Sequence, residues 1–204
     1  MMVPEIGVTC TAIHIITNNS ISHLKFVTLD VKTANSDPSS ICEIGIGIFE
    51  NEILVATHIE YIDPKASFDP FYIEKIHGIS EEWLKYWFSI DISYDDIREL
   101  LINNIVAHHS QPVYKGFLKA LDKYDLEPFP VFWLDTEKVA RITWQEFSEE
   151  GCSLKELAAF LRIEIGYPDA VSCSVAIGKI VIEASKKSGI GVSELLSRVK
   201  ITTT

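Results

Sequence analysis

No long apolar run occurs in this sequence. Across 204 residues nothing approaches the roughly 18 consecutive apolar residues that a membrane-spanning helix needs, so no membrane association is expected. Positive charge is also scarce: 18 Lys and Arg stand against 29 Asp and Glu, for a net charge of −11. That balance speaks against broad, sequence-independent nucleic-acid binding, which rests on Lys and Arg contacts to phosphate, though it leaves room for a local basic groove. The densest basic groups, Lys115, Lys119 and Lys123 and then Lys179, Lys186 and Lys187, have the spacing of solvated helix faces. Cysteine is sparse as well. Cys10, Cys42, Cys152 and Cys173 lie far apart with no CxxC pair, which argues against a zinc site and against a disulfide framework. Reduced thiols and a cytoplasmic location are the expectation. The mildly apolar segment Ile6–Ile16 lacks a basic flank and a cleavage site, and is not read as a signal peptide.

What the chain does have is ordinary globular material, 47% hydrophobic and 23% charged. Its length suits one domain with short appendages. Residues 1–24 match no motif and read as an extension, a loosely attached strand at most. Residues 26–31 predict a first strand. After the loop Ser36–Ser40, a second strand opens at Cys42, with Ile44, Ile46 and Ile48 alternating with Glu43, Gly45 and Gly47. A tight turn at Asn51–Glu52 leads into a third strand, Ile53–Tyr61. The pattern then becomes helical. Ser80 is placed to cap a helix over EEWLKYWF, and Asp95–Leu101 predicts a second short helix. A strand at 104–109 is followed by a helix over Val113–Tyr124, a strand at Val131–Leu134 and a helix from about Thr136. Ser153 and Glu156 form a capping box, and Asp169 caps a long helix to Lys187. Ser193–Val199 reads as a last short helix. A three-strand antiparallel meander followed by alternating helices and strands predicts a mixed α/β sheet with helices on both faces.

The chemistry concentrates at the end of the first strand. Side chains alternate along a strand, so Asp30 and Lys32 point the same way, roughly 7 Å apart at the backbone. Two acids at those positions would form a clamp for a hard divalent cation. A lysine puts a positive charge where the cation would sit. His108 and His109 are adjacent on a strand, face opposite ways, and cannot serve as one metal pair. Cys173, on an apolar helix, reads as a buried small hydrophobe. Gly78, after His77, supplies a permissive turn. Trp83, Trp87 and Phe88 have helical spacing and read as core.

Several segments, in order, resemble the DnaQ-like 3′–5′ exonucleases of the DEDD superfamily, the DNA polymerase III epsilon type, over about residues 26–185. FVTLDVKTAN is similar to the family's first motif, and SICEIGIGIFENE to its second and third strands. FDPFYIEKIHGIS resembles the segment before its first helix, IVAHH the strand leading into motif two, and SLKELAAFLRIEI the helix before motif three. The resemblance implies a ribonuclease H-like fold spanning 26–187, between an extension at 1–25 and a tail at 188–204.

It also implies a chemistry, in which four carboxylates hold two Mg²⁺ or Mn²⁺ ions and a general base assists. The first Asp falls on Asp30. Its partner Glu falls on Lys32, the motif-two Asp on Val113, the base on Pro168 and the motif-three Asp on Cys173. Four of these five positions are therefore replaced. An ammonium about 4 Å from a divalent cation is repelled by roughly 8 kcal/mol at an effective dielectric near 20. Thr33, His77, Gly78 and His108 fall where the resemblance implies substrate contacts, and Asp30 is at most a single metal ligand.

The expectation is an exonuclease-fold protein that is catalytically inactive, holds no cofactor, and binds a protein or a nucleic-acid end, which by the resemblance would be a single-stranded 3′ end. The alternative is an active metal-dependent exonuclease whose site is rebuilt from Glu43, Asp91 or Asp169 and which uses Mg²⁺ or Mn²⁺. A third reading is a decayed gene product whose fold persists without a selected role.

Overall fold

The computed structural model describes residues 25–72, 80–166 and 169–201. The extension at 1–24, His77, Gly78 and Pro168 lie outside these residues. Strand β1 is Lys25–Thr33, β2 is Ile41–Glu50 and β3 is Ile53–Tyr61. They form the expected antiparallel meander, and β2 turns into β3 through Asn51 and Glu52, both at positive φ. Two shorter strands, β4 (Ile105–His108) and β5 (Phe132–Asp135), add in parallel beyond β1, giving a five-stranded sheet in the order β3-β2-β1-β4-β5.

The helices are α1 (Glu81–Leu84), α2 (Ile90–Leu101), α3 (Gln111–Lys123), α4 (Thr136–Thr143), α5 (Leu154–Phe160), α6 (Ala170–Ser188) and α7 (Val192–Ile201). Alternation along the strands sorts them into two layers. Val27, Leu29, Ile44, Ile46 and Val106 face one way and bury against Ile90, Ile97 and Leu101 of α2 and Phe117 and Leu121 of α3. Phe26, Phe49, Ala107 and Leu134 face the other way, against α4 to α7. The sheet thus carries helices on both faces, as in the ribonuclease H-like fold. Val192, Leu195, Leu196 and Val199 of α7 belong to this second core, so the packed interior runs on past residue 188.

Two local expectations fail. The helix predicted over EEWLKYWF is a single turn: Ser80 Oγ accepts the Trp83 N–H, but the chain leaves the helix at Lys85. The next helix starts five residues earlier than predicted, at Ile90 behind Ser89, because Ile90 and Ser93 as well as Ile97 and Leu101 fall on its buried stripe. Trp83 and Trp87 are not core. They interlock edge to face at 5.4 Å, with Tyr61 4.3 Å from Trp83, yet stay 40% and 38% exposed, and Phe88 is 65% exposed. Helical spacing gave these rings a common face but could not say what covers it.

Helix α6 lies unusually close to β2. A Cβ on Gly45 would collide with the Ala170 backbone, and one on Gly178 would collide with the Phe49 ring. Gly45 is thus small because the first turn of α6 lies flush on the strand, and this approach brings α6 to the site.

Candidate active site

Strand β1 delivers Asp30 and Lys32 to the α6 face of the sheet. Opposite them on β2 stand Gly45 and Glu43, which pair with Asp30 and Lys32 respectively. Lys32 Nζ donates to Asp30 Oδ2 at 2.7 Å and to Cys173 Sγ at 3.2 Å. Both charged side chains are nearly buried, at 12% and 9% exposed. Burial pulls the Lys32 ammonium down, but Asp30 and Cys173 more than reverse this, so its pKa ends above the usual lysine value. Burial pushes the Cys173 thiol up to about 11, and the Asp30 charge adds to the effect. At neutral pH Lys32 is therefore an ammonium and Cys173 a neutral thiol.

Glu43 is buried, and its Oε1 accepts the Ala170 N–H at 2.7 Å. Burial raises its carboxyl above the ordinary range, and the Ala170 bond opposes that rise. Asp169, one residue earlier, accepts the Ser172 N–H through Oδ1 at 2.5 Å. Two carboxylates thus satisfy the otherwise unpartnered amides at the start of α6 and complement its dipole.

Beside this cluster opens a cavity of about 630 Å³. Its floor is Asp30, Lys32 and Cys173. Its walls are Leu154, Ala158 and Ala159 from α5 and Ile163 and Ile165 beyond it, with Lys155 also lining it. The capping box is present as predicted and fixes where α5 begins.

The structure brings Asp30, Lys32 and Cys173 together. It does not bring Val113 to them: this side chain packs half-buried on the opposite face of the sheet, against the α2–α3 core. Thr33 sits half-buried at the end of β1, just past a register shift that follows Lys32. His108 is buried, with Nδ1 2.9 Å from the Ser110 carbonyl and its ring packed against Tyr114 and Trp133. Burial holds its pKa below the usual histidine value, against the pull of Asp135. His109 points elsewhere, with Nε2 2.8 Å from the Cys152 carbonyl. Asp91 opens α2, where its charge is felt at Tyr124.

Two features escaped sequence reasoning. The apolar setting of Cys173 predicts a plain small hydrophobe, but it is a hydrogen-bond partner of Lys32 from 141 residues away. Glu43 ties β2 to α6, and its only signal was an acid on the small-residue face of that strand.

The resemblance implies two divalent cations here, and the donor set does not fit them. Hard cations take six or more oxygen ligands, whereas among the described residues no group of three His, Cys, Asp or Glu side chains gathers to hold a metal ion. The Asp30 carboxylate already faces an ammonium, and Glu43 and Asp169 are bonded to backbone amides.

Comparison with known proteins bears on the fold. No family model matches the chain. It is similar to the DNA polymerase III epsilon subunits of Rickettsia typhi and Rickettsia prowazekii, at 33% identity over 101 residues. That match covers 48% of this chain and 44% of theirs, so it spans less than half the length of those relatives. Among solved structures, Exonuclease X in complex with 5′-overhanging duplex DNA superposes with a TM-score of 0.66 at 17% identity, over 85% of this chain and 99% of that one. A 3′-exonuclease that recognises the histone mRNA stem-loop gives 0.65 at 13% identity, over 82% and 65%. Exonuclease I from Methylocaldum szegediense gives 0.62 at 15%, over 87% and 43%. Sheet order, helical layers and these likenesses agree: the chain has the ribonuclease H-like fold that these exonucleases share, and half of it is similar in sequence to the epsilon subunits.

Proposed function

We propose that this chain is an exonuclease-fold binding module without nuclease turnover. The observation that carries this reading is the Lys32 ammonium, 2.7 Å from Asp30 Oδ2 at the end of the first strand. A tethered cation there opposes a divalent ion by several kcal/mol, and Cys173 adds a neutral thiol where a further carboxylate would be needed. The cavity beside the pair still offers a recess for a ligand. The net charge of −11 favours a protein partner over a nucleic-acid end.

One observation favours a second reading, an active nuclease using Mg²⁺ or Mn²⁺. Glu43 lies close enough to Asp30 and Lys32 for their charges to interact, and Asp169 close enough to act on Glu43 and Cys173. Both are committed to the amides of α6, which is why this reading ranks second.

The test is a nuclease assay with Mn²⁺ on a 3′-labelled single strand, with the melting temperature followed alongside. The wild-type chain is expected to leave the strand intact and to show no metal-dependent shift. A variant carrying Lys32→Glu, Val113→Asp, Pro168→His and Cys173→Asp is the positive arm. Digestion by the wild type that a chelator abolishes would overturn the proposal. Oligonucleotide retention that weakens with salt would point to a nucleic-acid end as the partner.

A further inference from the structure

The cavity beside Lys32 and Asp30 has two kinds of surface. Leu154, Ala158 and Ala159 of α5, with Ile163 and Ile165, give it apolar walls, whereas Asp30, Lys32 and Cys173 give it a polar floor. Its volume of about 630 Å³ is that of a small-molecule site, and such sites are mostly apolar with a few polar groups that fix orientation. The charges at the floor decide which polar group a ligand can bring there. Lys32 Nζ lies 2.7 Å from Asp30 Oδ2, so its charge is already met. Two further acids are within electrostatic reach, Glu43 of Lys32 and Asp169 of Cys173. Lys155 also lines the cavity, but it is exposed, and solvent screens it.

An ionised phosphate or carboxylate brought to this floor gives up its water, meets Asp30 as well as Lys32, and can only accept hydrogen bonds. An ammonium can only donate, and it meets Lys32. A hydroxyl does both. It accepts from the Lys32 ammonium and donates to the Asp30 carboxylate, and it brings no charge that must be desolvated. The apolar walls then favour an apolar body behind that hydroxyl.

We propose, on the reading that Lys32 and not a metal ion stands beside Asp30, that this cavity binds a neutral alcohol or phenol with an apolar body, its hydroxyl on the Lys32–Asp30 pair and its body against α5. The same floor turns a nucleotide away, because a phosphate finds the Lys32 charge already taken by Asp30. The ion pair that replaces a cation clamp thus becomes the polar end of a different kind of site.

Calorimetric titration of the full chain at pH 7 tests this with two probes that share one ring body, 1-naphthol and 1-naphthyl phosphate, each with EDTA and again with Mn²⁺. With EDTA, 1-naphthol is expected to bind at least about tenfold more tightly than the phosphate, and Mn²⁺ is expected to change neither. The amide resonances of Ala158, Ile165 and Cys173 should move on adding 1-naphthol to the wild-type chain. Ala159→Trp fills the cavity from an exposed position on α5, and should weaken 1-naphthol by about tenfold or more. Absence of 1-naphthol binding with EDTA overturns the proposal. So does equal affinity for the phosphate, a set of moved resonances away from the cavity, or binding that a folded Ala159→Trp chain retains. Tight phosphate binding that appears only with Mn²⁺ is a separate failure: it would overturn the metal-free reading of the pair, and this proposal with it.

Discussion

The contact between Lys32 and Asp30 is the point from which the rest of the site is understood. Breaking a buried pair by removing one partner typically costs about 3–5 kcal/mol, because the remaining charge loses its counter-ion, whereas replacing both partners costs much less. Lys32→Met is therefore expected to destabilise the fold by about that amount, and Lys32→Met with Asp30→Asn by distinctly less, measured as urea midpoints. If the double variant is no more stable than the single one, the pair does not organise this strand end. Half of this contact was legible in the sequence, because period-two alternation puts residues 30 and 32 on one face. The Cys173 bond was not: local spacing says nothing about a residue 141 positions away until α6 is docked. Glu43 is a similar case, since its partner is a backbone amide and leaves no side-chain signature.

Of the helices, α6 packs most extensively against the sheet, above all on β2. The Ile44, Ile46 and Ile48 alternation predicted which face of β2 is apolar, and the structure turns those residues toward α2 and α3. The small residues on the other face mark where a helix backbone comes within contact. Gly45→Ala forces a methyl group into Ala170, and a cost of about 3 kcal/mol or more is expected in chemical denaturation. Gly191→Ala is the control: nothing lies within 4 Å of its would-be Cβ, so its effect should stay within about 0.5 kcal/mol. Equal effects at the two glycines would mean that α6 does not lie flush on the strand. The regular elements were readable from periodicity. The segment 81–88 was not, because Trp83 and Trp87 satisfy a helical period while the backbone makes only one turn and then departs.

For the molecule as a whole, the thiols make alkaline stability diagnostic. Burial pushes Cys42 up to about 12 and Cys173 up to about 11, from an unfolded value of 9.0. Between pH 9 and 11 the unfolded chain has released protons that the folded chain retains. Stability must therefore fall as pH rises, by about 1.4 kcal/mol per pH unit for each such thiol. Lys32 acts with the same sign above 10.5, since its folded pKa is also raised. Urea midpoints at pH 8, 9, 10 and 11 should decline, and Cys173→Ser should flatten the decline by one thiol's share. A midpoint independent of pH over that range would contradict the burial of these groups. The fold class and the antiparallel-then-parallel strand arrangement followed from the sequence, because they depend on the order and period of elements. The exposure of the aromatic patch at Trp83 and Phe88 did not, because it depends on what the rest of the chain leaves uncovered.

A charge carried on the polypeptide arrives with synthesis. The positive group that neutralises Asp30 is covalently attached, so no loading step precedes its arrival and no chelator can withdraw it. The neutralisation of Asp30 by Lys32 thereby needs no dissolved ion.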